Sequence, residues 1–219
     1  MTVTTGKNRE LKIDRAVVID TARRVIDTDG LAALTIRRIA TELGVRSSSL
    51  YHHFRTKEDI VQEVLANAMA TLEMPQAPMR WPDLLVELCR RYWTVLVNNR
   101  HLIPTLAGRP HERFGPEIAR QVADSMLGGG VPAKLVYTFT EQTEALTLGS
   151  ATFAVVRYDE TQRRENDRPE VLEETFHARV KSEEERFLVG VRAMVRGFEE
   201  LVAQLNTSTT TRSNDDSGS

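Results

Sequence analysis

Between Gly44 and Lys57 the chain reads G-V-R-S-S-S-L-Y-H-H-F-R-T-K, and its polar residues carry the chemistry of recognition rather than of bond making. Arg46, Ser47, Ser48, Ser49 and His52 are candidates for reading base edges in a DNA major groove. Arg46 can grip a guanine with two parallel hydrogen bonds, worth about 1–3 kcal/mol of discrimination. The small serines permit close approach while reading little sequence. The bland alternative for the pair His52 and His53 is a solvated surface feature, a reading that the surrounding motif disfavours. Catalytic chemistry has no comparable constellation: there is no nucleophile with a base, no glycine-rich phosphate loop and no ligand cluster. His101 and His111 have no zinc-binding spacing, His111-Glu112 lacks the second histidine of a zinc-protease helix, and Cys89 stands alone as a buried helix residue. No enzyme activity, metal or cofactor is expected.

Two short helices and a tight turn must position this reading segment. Leu34, Ile36, Ile39, Ala40 and Leu43 recur at helical spacing, Thr35 caps that helix, and Gly44 ends it in a left-handed conformation. Val45 and Leu50 supply the buried side of a second helix starting near Arg46 or Ser47. A steep pair of this kind is a helix-turn-helix. A support helix over residues 13–29 shows one apolar face (Val18, Ala22, Val25, Ile26) and stops at Gly30. The run Thr56-Lys57-Glu58-Asp59 is a capping-box start for a further helix carrying Ile60, Val61, Val64, Leu65, Ala68 and Leu72.

The same residues carry a family resemblance. Ala40, Gly44, Val45, Leu50, Tyr51, His53, Phe54 and Lys57 resemble the N-terminal signature of the tetracycline-repressor (TetR) family, A-x-x-x-G-V-x-x-x-x-L-Y-x-H-F-x-x-K. The match continues upstream through R-A-V-V-I-D-T-A-R-R-V-I-D-T-D-G-L-A-A-L-T and covers about a quarter of the chain. It implies that Thr35, Arg37, Tyr51, His53 and Lys57 lie on or near the DNA backbone. A single head reads few base pairs, so a homodimer on a near-palindromic double-stranded operator is the mechanical expectation.

Helix breakers in M-P-Q-A-P-M-R-W-P place a domain boundary near residues 74–82. The expected organisation is a flexible arm (1–11), a helix-turn-helix domain (12–73), a helical effector-binding and dimerisation domain (81–205) and a disordered, low-complexity tail (206–219). The arm holds Lys7, Arg9 and Lys12, which either brush phosphate or stay idle. The fold class is all-α: a three-helix head and a larger helical body. In the body, Phe187, Val191, Met194, Phe198, Leu201 and Leu205 alternate by four and three, a heptad seam. Leu135, Phe139, Gln142, Leu146, Gly149, Phe153 and Val156 repeat it, and periodicity leaves open whether these seams meet a second copy or the protomer's own core. Asp159–Arg168 reads as a mobile loop.

The body also resembles the tetracycline-repressor C-terminal domain, at A-G-R-P (Ala107–Pro110), L-T-L-G (Leu146–Gly149) and F-L-V-G-V-R-A-M-V-R-G-F-E-E-L. At the positions matching that relative's drug and magnesium ligands stand Glu73, Thr105, Gly108 and Phe153, which cannot rebuild the metal site. Gln121 is the one retained polar position. A small organic effector in an aromatic-lined pocket is expected instead, with Leu88, Tyr92, Trp93, His101, Ile103, Thr105, Gln121, Phe139, Gln142 and Phe153 as its candidate wall. Each of these aromatics, taken alone, is more often core than ligand wall.

The 219 residues carry a net charge of −2, yet residues 1–57 hold 11 Lys and Arg against 6 Asp and Glu, while residues 58–219 hold 18 against 25. A basic front on an acidic body fits one part meeting phosphates. No apolar run reaches the ~20 residues that cross a bilayer, the N-terminus lacks a secretory signal, and a single cysteine suits a reducing compartment, so a cytoplasmic protein without membrane contact is expected. The leading functional reading is a ligand-responsive one-component transcriptional regulator, a repressor released from DNA by its effector. The alternative is a DNA-binding regulator or architectural protein with a filled core, gated by a protein partner.

Overall fold

The computed structural model describes residues 14–106, 115–161 and 182–215, and divides into two compact units, Met1–Ala68 and Met69–Ser219. Among the described residues every regular element is helical. The basic arm, the A-G-R-P segment and residues 162–168 of the expected loop lie outside the described residues.

The first unit begins at Asp14, whose carboxylate accepts the Ala16 N–H at 3.0 Å and so caps α1 (Arg15–Asp29). Val18, Ile19, Ala22, Val25 and Ile26 form the buried face of α1. A 3₁₀ turn (Leu31–Ala33) leads into α2 (Ile36–Leu43), α3 (Ser47–Leu50) and α4 (Lys57–Met69). Leu34, Ile39, Leu50, Phe54 and Ile60 are each at most 1% exposed and close a small core between these helices. Burial of such side chains is worth about 1.5–3 kcal/mol each, which holds α2 and α3, both too short to persist alone.

The second unit is built around α5 (Trp81–Asn98). It packs against α7 (Gly115–Gly128), α8 (Ala133–Thr161) and α9 (Glu183–Asp215), with a 3₁₀ turn (Arg100–Leu102) and α6 (Ile103–Leu106) between α5 and α7. Pro82 sits in the first turn of α5, where its missing N–H costs no helical bond. Aromatic side chains knit the helices. Trp81 stacks on Phe139 at 6.2 Å, Phe139 on Phe198 at 3.9 Å, and Trp93 on Phe187 at 5.7 Å between centroids.

Two expectations need correction here. The buried rows on the long helices run mainly by fours: Phe139, Thr143, Thr147, Ala151 on α8 and Phe187, Val191, Val195 on α9, with Ala154 and Val202 completing them. Within the expected seams, Gln142 is exposed, Phe153 is 65% exposed and Leu201 is 39% exposed. Threonine fills the interior row because its hydroxyl bonds back to its own helix: Thr143 donates to the Phe139 carbonyl at 2.9 Å and Thr147 to the Thr143 carbonyl at 2.7 Å. The two seams therefore divide, part packing within the protomer and part facing outward. The expected disordered tail is also displaced, since α9 continues past Leu205 to Asp215. Thr207 and Ser208 send their hydroxyls to the Ala203 and Gln204 carbonyls, and the Asn206 amide reaches the Gly130 carbonyl, so polar residues extend the helix instead of ending it.

Candidate functional site

The head is shaped by capping chemistry. Thr35 Oγ1 accepts the Arg38 N–H at 3.0 Å and starts α2. Gly44 ends it at φ 65°, ψ 29°, and its N–H and that of Val45 return to the Thr41 and Ala40 carbonyls, which turns the chain sharply into α3. Below α3, Thr56 and Asp59 cap each other reciprocally: the Thr56 N–H donates to the Asp59 carboxylate at 3.0 Å, and the Asp59 N–H to Thr56 Oγ1 at 3.1 Å. The Thr56 N–H, ahead of the Arg55 N–H, holds the Asp59 carboxyl below its usual range. Arg15 ties the corner to α1 and α4: it donates to both Glu63 carboxylate oxygens and to the His53 carbonyl, and its guanidinium lies 4.5 Å from the Phe54 ring centre.

With Leu50 and Phe54 turned into the core, the other residues of this corner face water. Arg46, Ser48, Tyr51 and His52 are exposed, and Ser47, Ser49 and His53 are half-buried. Tyr51 is 56% exposed, a large ring that the core does not need. Thr35 and Arg37 are exposed at the start of α2. Lys57 uses one of its donors on the Leu31 carbonyl at 2.7 Å. Fixed donors and a small-residue helix on a rigid frame are what base and phosphate contacts need.

The second unit contains a cavity of about 600 Å³ between α5, α7 and α8. Leu85, Leu88 and Cys89 form the α5 wall, and Ile118, Ala119, Val122 and Ala123 the α7 wall, all apolar or nearly so. The polar groups come from one face of α8: Tyr137, Thr140, Glu141, Thr143 and Glu144. Burial pushes the Cys89 thiol up to about 11, against hydrogen bonds with Thr147 and Thr143, so it lines the cavity as an inert thiol rather than a nucleophile. A volume of this size suits a drug-sized organic molecule.

Residues 18–64 match the family described as bacterial regulatory proteins, tetR family, so the capped corner, its exposed helix and its apolar frame coincide with a known regulatory domain. The N-terminal unit thus carries a domain of the tetR-family type. Along its length it is 24% identical over 201 residues to the class D tetracycline repressor of Escherichia coli, covering 86% of this chain and 90% of that protein. Its fold matches BioQ crystallised with its double-stranded DNA operator, with a TM-score of 0.61 at 22% identity over 85% of this chain and 98% of BioQ. It also matches the TetR-family protein ActR of Streptomyces coelicolor in complex with actinorhodin, with a TM-score of 0.65 at 20% identity over 87% and 98%.

Within this TetR-family fold the candidate DNA residues gather on one corner, whereas the expected pocket wall does not gather. Of that set only Leu88 reaches the cavity. Tyr92 is fully buried, Trp93, Ile103 and Phe139 are core, and Phe153 points outward. Gln142 is exposed, and His101 and Thr105 are half-buried away from the cavity wall. Gln121 gives its amide to the Glu117 carboxylate at 2.6 Å. The reason is area: burying a large ring in the interior gains most, so the space left open is bounded by alanines, small aliphatics and one polar stripe. The missed residues were signalled only by spacing, Ile118, Ala119, Val122, Ala123 on α7 and Val136, Tyr137, Thr140, Glu141, Glu144 on α8, each a single helical face.

Proposed function

We propose that this chain is a one-component transcriptional regulator, a repressor that binds a near-palindromic operator as a homodimer and leaves it when a small organic effector occupies the body. One observation carries this reading: a single chain joins an exposed, hydrogen-bonding helix corner to a separate unit holding a cavity of about 600 Å³. In the proposed contact, Arg46, Ser47, Ser48, Ser49 and His52 face base edges, while Thr35, Arg37, Tyr51, His53 and Lys57 hold the sugar-phosphate backbone. The outward parts of α8 and α9, with Phe153, Val189 and Leu201 at 65%, 56% and 39% exposure, are the proposed face for the second copy. A partner-gated protein with a filled core is disfavoured by the cavity itself. The relatives' complexes with an operator and with actinorhodin support the same division of labour.

An effector can release DNA only by binding one arrangement of the two reading heads better than the other. The test is selection of bound fragments from the host genome, followed by fluorescence anisotropy on the enriched sequence. Tight, salt-sensitive binding to a two-fold symmetric site is expected. Weak uptake that is indifferent to sequence and salt would end the proposal.

A further inference from the structure

We propose that Arg15, the first residue of α1, is a positioning residue for DNA recognition, one that sets the rotation of the reading corner without itself meeting DNA. The inference rests on reading that corner as the DNA interface and adds a residue that acts through another. Helix α3 has four residues, too few to hold its own shape, and of these Leu50 is the buried one. The chain then turns through Tyr51, His52 and His53 to Phe54, which is again buried. Leu50 and Phe54 are two apolar pegs on the inner side of the corner, and two points leave rotation about the line through them free. Arg15 supplies a third point. Its Nη1 donates to the His53 carbonyl at 3.0 Å, and its guanidinium carbon lies 4.5 Å from the Phe54 ring centre. Its Nε donates to the two Glu63 carboxylate oxygens at 2.9 and 2.8 Å, and its Nη2 donates to Glu63 Oε1 as well. Glu63 stands on α4, so one planar fork joins the start of α1, the end of the reading turn and α4.

A half-exposed ion pair contributes little to stability by itself. Placement is a separate matter, because a recognition group works only when held within about 0.5 Å of its productive position. The His53 peptide follows directly on Tyr51 and His52, whose side chains are exposed, so fixing that carbonyl fixes where they point. Lysine cannot stand in for the fork, since a single ammonium cannot hold the carboxylate and the carbonyl in one plane. The Glu63 charge also neutralises the guanidinium where a phosphate would otherwise draw it.

The experiment compares full-chain variants by fluorescence anisotropy on the enriched operator and on a random duplex of equal length, at a temperature where circular dichroism shows each variant folded. Arg15→Met should lower operator affinity about 10-fold, comparable to losing one base contact. Its affinity for the random duplex should stay within about 2-fold, since no phosphate contact is removed. Arg15→Lys keeps the charge and should lose operator preference as Arg15→Met does. Glu63→Gln gives the sharpest reading because it makes the head more positive. An Arg15 that touched phosphate would then bind all DNA more tightly, whereas a positioning Arg15 predicts a lower operator-to-random ratio. The inference is overturned by equal losses on both duplexes, by tighter binding of both in Glu63→Gln, or by full operator affinity in Arg15→Met or Arg15→Lys. A lower melting temperature with an unchanged ratio, the result of a merely structural tie, overturns it too. A wild-type chain that prefers no enriched duplex sinks the regulator reading and this inference with it. A wild-type preference that every variant keeps sinks this inference alone.

Discussion

The three consecutive glycines closing α7 should respond to alanine in three different ways. A Cβ at Gly128 meets nothing within 4 Å, so Gly128→Ala gains only by restricting the unfolded chain, about 0.4–1 kcal/mol. A Cβ at Gly129 would run into the Trp81 indole and come within 3.2 Å of the Ser125 carbonyl oxygen. Trp81 is 7% exposed and stacked on Phe139, so it cannot swing aside without unstacking, and overpacking of this kind costs about 1–3 kcal/mol. Gly130 has φ 83°, where alanine is strained by about 1–2 kcal/mol whatever the space. Both tryptophans of the chain, Trp81 and Trp93, lie on α5, so their emission reports unfolding of the second unit alone. With a urea slope of about 2 kcal/mol/M, a gap of about 2 kcal/mol between Gly128→Ala and Gly129→Ala separates their midpoints by about 1 M. Coincident midpoints for these two neighbours would refute the packing argument.

Three further outcomes follow from the geometry. Arg46→Ala should lower operator affinity about 10- to 100-fold at one base position only, whereas Arg37→Ala should weaken all sequences alike and reduce the salt slope by about 1; anisotropy across salt on operator variants distinguishes them. Thr35→Ala removes the cap of α2 and should cost about 1 kcal/mol, seen as lower operator affinity on warming with no change in the tryptophan-reported transition. In the second unit, hydrogen bonds from Arg90, then Arg91, hold Glu87 at about 2 against an ordinary 4.5. A carboxyl depressed on folding stabilises above its unfolded value. That contribution is complete above pH 4.5 and is lost as pH falls towards 2, so Glu87→Gln should flatten the fall in urea midpoint across this range.

The head was legible because its determinants are local. A hydroxyl at Thr35, a glycine at Gly44, the Thr56–Asp59 box and the Leu34, Ile39, Leu50 spacing each act within a turn of where they stand, and the structure places each as read. The long helices of the body were legible in existence but not in orientation. Their buried rows include Thr143 and Thr147, which a reading by polarity passes over and which back-bonding makes acceptable inside.

What the amino-acid order determined alone is therefore the all-helical class, the capped corner and the polar face it leaves to water. Only tertiary structure decided where the cavity lies, because a cavity is the volume three helices fail to fill, and no single helix encodes that difference. It is why aromatic rings expected around a ligand became core, while alanines and the acidic stripe of α8 were left to bound the open space.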